Sequence, residues 1–126
     1  MPRETITTPD APGSPLFSQG VRAGSHVYLS GIVGVDPQTA SLAGETIQDQ
    51  TRQALKNCEA ILRAGGASLD DVVEVGVLLT RPSDFEGLNE EYARWFPAAP
   101  PTRYVAKLGA EPPGVLVSIR MTAFVG

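Results

Sequence analysis

The clearest periodic signal along the chain is helical. Ile47, Thr51, Ala54, Leu55, Cys58, Ile61 and Leu62 recur on one face of a 3.6-residue repeat, while Gln48, Gln50, Arg52, Lys56, Asn57, Glu59 and Arg63 fall largely off it. Gly65-Gly66 then supplies a residue able to take the left-handed conformation that stops a helix. Cys58 lies inside the apolar stripe, so it reads as a buried structural thiol. A nucleophilic thiol needs an exposed, electropositive setting.

Strand patterns flank this helix. Four prolines make most of residues 1–16 a loop, with Thr5-Ile6-Thr7-Thr8 as a short first strand. Ser18 to Ala23 and Ser25 to Ser30 read as two strands around Gly24, and Asp36-Pro37-Gln38-Thr39 as a turn followed by a loop to Gly44. Val72 to Thr80 is a long strand: Val73, Val75, Val77 and Leu79 form one apolar face, and Val72, Gly76 and Leu78 the other, with Glu74 the exception. A strand covered on both sides is central or meets another subunit.

Ser83-Asp84-Phe85-Glu86 has capping-box spacing and predicts a second helix, with Phe85, Leu88, Tyr92 and Trp95 or Phe96 inward and Pro97 closing it. Pro97 to Pro101 reads as a rigid turn. Thr102 to Leu108 is a strand, and Val115 to Val125 the last one. There Val115, Val117, Ile119 and Met121 face one way, and Leu116, Ser118, Arg120 and Thr122 the other.

Strands, helix, strand, helix, strands is an α+β order, with both helices on one face of a mixed sheet. The opposite sheet face is too apolar to stay wet, so copies of the same chain are expected to cover it. A length of 126 residues fits one domain, 1–126. Its small size turns attention to sites between subunits.

Charge narrows the partners. The net charge is −4 and no basic run exists, which argues against nucleic acid. No apolar stretch approaches a membrane span, and the N-terminus lacks the apolar run of a signal peptide, so a cytoplasmic protein is expected. Cys58 and His26 are each alone, which leaves no disulfide within the chain and no structural zinc site.

Several stretches together carry a family likeness: Ala11-Pro12, Phe17-Ser18-Gln19-Gly20, Tyr28-Leu29-Ser30-Gly31, Gln50 to Asn57, Ala64-Gly65-Gly66-Ala67, Asp70 to Val73, Asn89-Glu90-Glu91-Tyr92 and Pro101-Thr102-Arg103. In this order and spacing, the chain resembles the Rid (reactive intermediate deaminase) or YjgF family over nearly its whole length. The resemblance implies a chorismate-mutase-like homotrimer with a barrel of sheets and three clefts between subunits. It also implies hydrolysis of enamines and imines such as 2-aminoacrylate to 2-keto acids and ammonia, with no cofactor. Relatives have also been described as endoribonucleases or translation inhibitors, a reading that the acidic balance opposes.

By the same resemblance, Arg103 matches the catalytic arginine. Its planar guanidinium can grip a small carboxylate with two parallel hydrogen bonds. Ser30 and Gly31 match a site-lining stretch, although Ser-Gly also serves simply to end a strand. Asn89 matches a position near the cleft and also fits a half-buried polar residue. Two departures stand out. Phe17 replaces a common Tyr, keeping an aromatic wall without the hydroxyl. Ser118 replaces a Glu held to position or activate water; a hydroxyl can hydrogen-bond water but cannot act as a carboxylate base. Arg120 shares the face of Ser118 and reads as solvated or paired. The expected function is a deaminase of small 2-imino acids. The alternative is a non-catalytic sensor of small carboxylates.

Overall fold

The computed structural model describes residues 2–126. The helix signalled by periodicity is α1, Ile47–Ala64. The Thr46 hydroxyl caps its start by accepting from the Asp49 N–H at 3.1 Å, and Gly66, at φ +85°, turns the chain away at its end. Ala54, Leu55, Cys58, Ile61 and Leu62 are fully buried. Burial pushes the Cys58 thiol up, so it stays protonated and inert.

The strands are β1 (Glu4–Ile6), β2 (Gly20–Ala23), β3 (His26–Leu29), β4 (Ile32–Val33), β5 (Val35–Asp36), β6 (Ser41–Leu42), β7 (Val72–Leu79), β8 (Thr102–Lys107) and β9 (Val117–Phe124). The main sheet runs β1-β2-β3-β9-β7-β8, with β4 also pairing β9, and β5-β6 form a separate hairpin. β7 and β8 are parallel while the other pairs are antiparallel, which makes the sheet mixed. Helix α2 spans Phe85–Trp95. Val27, Val75, Val77, Val117, Ile119, Met121 and Ala123 meet the buried faces of α1 and α2 in one core. The α+β architecture is as the sequence predicts.

Four local expectations are corrected. The stretch from Ile32 to Gly44, for which the sequence predicts only a turn at Asp36-Pro37-Gln38-Thr39 and a loop to Gly44, holds three short strands. β7 does not alternate evenly: a bulge between Val72 and Glu74 turns Val72 inward opposite Ala123 and leaves Val73 48% exposed. The spacing at Ser83 makes no capping box, because Ser83 lies in a 3-10 turn, Pro82–Asp84. The Asp84 carboxylate instead accepts from Arg81, Nε at 3.0 Å and Nη2 at 3.3 Å. An Asp that pairs backward with a guanidinium leaves the helix N–H groups without its cap. Phe85, expected inward, is 44% exposed.

Buried carboxamides tie the irregular segments to this frame. Asn57 is fully buried, and its Nδ2 donates to the carbonyls of Val33 at 3.0 Å and Val35 at 2.8 Å. Gln50 donates to the carbonyls of Gly44 and Gly114 and accepts from the Leu116 N–H. Gln19 accepts from the Thr8 N–H at 2.7 Å and donates to the Thr8, Ala11 and Pro12 carbonyls, each at 3.0 Å. Helices α1 and α2 are joined by Arg52, whose Nη2 lies 3.1 Å from the buried Glu91 carboxylate.

Replacing Asn57 by Ala orphans two partly buried carbonyls, each worth up to ~1–3 kcal/mol unpaired. Asn57→Ala is expected to lower unfolding stability by about 2–4 kcal/mol in urea titration, against less than ~0.5 kcal/mol for the exposed neighbour Lys56→Ala.

Candidate active site: two half-sites on opposite faces of the sheet

Arg103 enters β8 beside Val75 of β7. Val75 points into the core, so Arg103 lies on the helix side of the sheet. Its Nη1 donates to Asn89 Oδ1 at 2.8 Å. Its guanidinium carbon stands 4.8 Å from the Tyr92 ring centroid and 5.9 Å from that of Phe85. Aromatic faces attract a cation by about 0.5–1 kcal/mol at an exposed site. Three contacts from α2 therefore orient the head. The ion pairs among the described residues belong to Arg52, Arg63, Arg81, Arg94 and Arg120, so no carboxylate neutralises Arg103. With one nitrogen given to Asn89, Nε and Nη2 make no hydrogen bond among the described residues and remain available to an outside carboxylate. Burial pushes the Tyr92 phenol above its ordinary range, and the Arg103 charge pulls it partly back.

A second group gathers elsewhere. A cleft of about 480 Å³ is lined by Ala11, Pro12, Phe17, Gly31, Val33 and Pro37, among others. Phe17 is 46% exposed at this cleft. Ser118 on β9 pairs with Val33 of β4 and Leu78 of β7. A Cβ on residue 31 would come 2.7 Å from Ser118 Oγ, so the serine lies directly against Gly31. The Ser30 hydroxyl donates to the Ser18 carbonyl at 2.6 Å, and its N–H to the Gln19 carbonyl at 3.0 Å. Ser30 thereby fixes the strand pair that carries Gly31. Arg120 is taken up by Glu74, 3.3 Å away, and by the Thr122 hydroxyl at 3.2 Å.

The six residues singled out from sequence thus form two groups. Arg103 and Asn89 are together, and Phe17, Ser30, Gly31 and Ser118 are near one another. Because Ile119 faces the core, Ser118 faces away from the helices, and the two groups occupy opposite sides of the sheet. Reading the aromatic stripe of α2 as core concealed the contact of Phe85 and Tyr92 with Arg103. No signal in the linear pattern marks it.

The family model for endoribonuclease L-PSP matches residues 7–125. The chain belongs to this family. A RutC family protein of Pyrococcus horikoshii is 39% identical over 124 residues, covering 97% of this chain and 98% of the relative. The human 2-iminobutanoate/2-iminopropanoate deaminase is 35% identical over 125 residues, covering 98% of this chain and 91% of the relative. Among solved structures, E. coli TdcF with bound serine superposes with a TM-score of 0.91 at 35% identity, covering 98% of this chain and 99% of that one. This Rid chain therefore shares the fold of its solved relative over 98% of its length, not in an isolated motif.

The close fit of Gly31 to Ser118 yields a direct test. Gly31→Ala is expected to cost about 1–3 kcal/mol, the usual penalty of overpacking. Adding Ser118→Ala removes the clashing oxygen. The double variant should recover at least half of that loss in denaturant titration, a coupling outside simple additivity.

Proposed function

We propose that this chain hydrolyses small 2-imino acids, and their enamine tautomers, to 2-keto acids and ammonia in clefts formed between copies of a homotrimer. The observation that carries the reading is Arg103: an exposed, oriented guanidinium without a carboxylate partner, whose Nε and Nη2 make no hydrogen bond among the described residues. That edge matches the two oxygens of a carboxylate. In a 2-imino acid the carboxylate adjoins the carbon that water attacks, so holding it orients the reacting centre and offsets negative charge beside it.

The chemistry asks little else of the protein. Water oxygen adds to the imine carbon, and a water proton ends on nitrogen, giving a tetrahedral aminoalcohol. The hydroxyl proton then passes to nitrogen as the C–N bond breaks, releasing ammonia and leaving the ketone. Ser118 serves to hold the water by hydrogen bonding. It supplies no carboxylate base, which predicts slower turnover than a chain with Glu at this position.

The separation of the half-sites supports assembly. Arg103 and Ser118 point to opposite sides of one sheet, so a cleft with both must draw them from two chains. The sheet face away from the helices is also unpaired in the single chain: Tyr104 is 47% exposed, Val73 48% and Tyr28 43%. The names of the human and plant relatives, both deaminases, support the reaction class. A second reading, a carboxylate-binding trimer without catalysis, is favoured by Ser118 alone. Freshly generated 2-aminoacrylate separates the two: release of keto acid above the solvent rate supports the enzyme. Sedimentation of a stable monomer at micromolar concentration would refute the assembly.

Arg103→Ala is expected to abolish binding of 2-keto acids, and Arg103→Lys to restore it poorly, since an ammonium lacks the fork. Calorimetric affinities equal to wild type in both variants would remove Arg103 from the site.

Ser118→Glu supplies the missing base. It is expected to raise kcat, towards the ~10²–10⁴-fold typical of general-base assistance, with keto-acid affinity preserved. Unchanged turnover with affinity preserved would favour the non-catalytic reading.

A further inference from the structure

Alongside Arg103 lies a hollow of about 420 Å³ lined by Leu79, Pro82, Phe85, Val105, Ala106 and Lys107. Arg103, Val105 and Lys107 pair in register with Val75, Val77 and Leu79 of β7, so all three side chains stand on the helix side of the sheet. Successive residues on one face of a strand are about 6.6 Å apart. That step is close to the reach of a four- or five-carbon acid held at its carboxylate. Phe85 joins the two features, since it lines the hollow and also stands 5.9 Å from the guanidinium carbon. Its exposure of 44% is unusual for a large apolar side chain at the start of a helix, and it faces this hollow.

We infer that this hollow receives the side chain of the bound acid, and that Val105 is a specificity-determining residue selecting 2-imino acids with branched apolar side chains over the smallest ones. The inference rests on the reading of Arg103 as a carboxylate anchor. Once the carboxylate is held there, the rest of the ligand can extend along β8 over Val105 towards Leu79 and Pro82. A methyl group fills little of the volume. An isobutyl group meets Val105 and Phe85, and each methylene moved from water into such a site is worth about fourfold in affinity. Among the described residues, Lys107, at the far end, is the only ammonium lining the hollow, and Leu79, Pro82, Phe85 and Val105 present hydrocarbon.

The probes are pyruvate, 4-methyl-2-oxopentanoate and 2-oxoglutarate, titrated calorimetrically into the assembled protein. The branched acid is expected to bind at least about tenfold more tightly than pyruvate, as several buried carbons imply. Val105→Phe, which fills the hollow, is expected to bring that ratio close to one. Val105→Ala, which enlarges it, is expected to shift preference towards 3-phenyl-2-oxopropanoate. Pyruvate or 2-oxoglutarate binding as tightly as the branched acid would overturn the inference. So would loss of affinity by the same factor for every acid in Val105→Phe. A change in sedimentation of that variant would also overturn it, since it would make the hollow a subunit contact. If none of the acids binds wild type, the reading of Arg103 falls and this inference with it. If pyruvate binds through Arg103 without the preference, only this inference falls.

Discussion

A β-strand sends consecutive side chains to opposite faces, and that pleat governs everything this chain can do. On β9 it places Ile119 against α1 and Ser118 on the far side. On β8 it turns Arg103 towards α2 and Tyr104 away from it. The helix side is dry, packed and able to orient a charge. The far side carries the exposed Tyr28, Val73 and Tyr104, with the buried Ser118 directly against Gly31. A single copy therefore keeps its cationic anchor and its hydroxyl apart. The proposed cleft between copies follows from this constraint rather than from any one contact.

The pleat alone would leave the segment from Gly31 to Glu45 poorly defined, since its strands are only two residues long. Short strands contribute few ladder bonds, and their carbonyls need other donors. Buried carboxamides meet that need: Asn57 reaches the backbone on both sides of Gly34, and Gln50 ties Gly44 to the approach to β9. Gln19 does the same for residues 8–12, of which Ala11 and Pro12 line the Phe17 cleft. An amide has both donor and acceptor on a short stem, so one buried side chain can satisfy several backbone groups without carrying charge into the core. The segment from Gly31 to Glu45 is thus held by the same helix that forms the core.

Arg103 shows how such a frame can prepare a charge. Its head is not buried, which would be costly, and it is not paired with an acid, which would occupy its fork. It rests against aromatic faces and one carboxamide oxygen. These contacts orient the guanidinium and leave much of its hydrogen-bonding capacity unspent. Arg120, two strands away on the opposite face, is the contrast: Glu74 and Thr122 take up its donors, leaving it a structural role.

The apolar periods of α1, α2 and β9 marked two helices and a long strand, because each burial pattern repeats locally and is read within a few turns or residues. The lone buried thiol was legible for the same reason, and Arg103 through its place after Pro101-Thr102 in a family pattern. Other features depended on atoms distant in sequence. The bulge at Val73 arises from the register with Ala123 and Thr122. The failed cap at Ser83 arises because Arg81 claims Asp84. Gly31 needs no Cβ only because Ser118, far along the chain, stands against it. The division of the candidate residues between two faces was decided by tertiary structure too. A linear pattern records alternation within each strand, but it does not specify which face meets the helices until the strands are aligned.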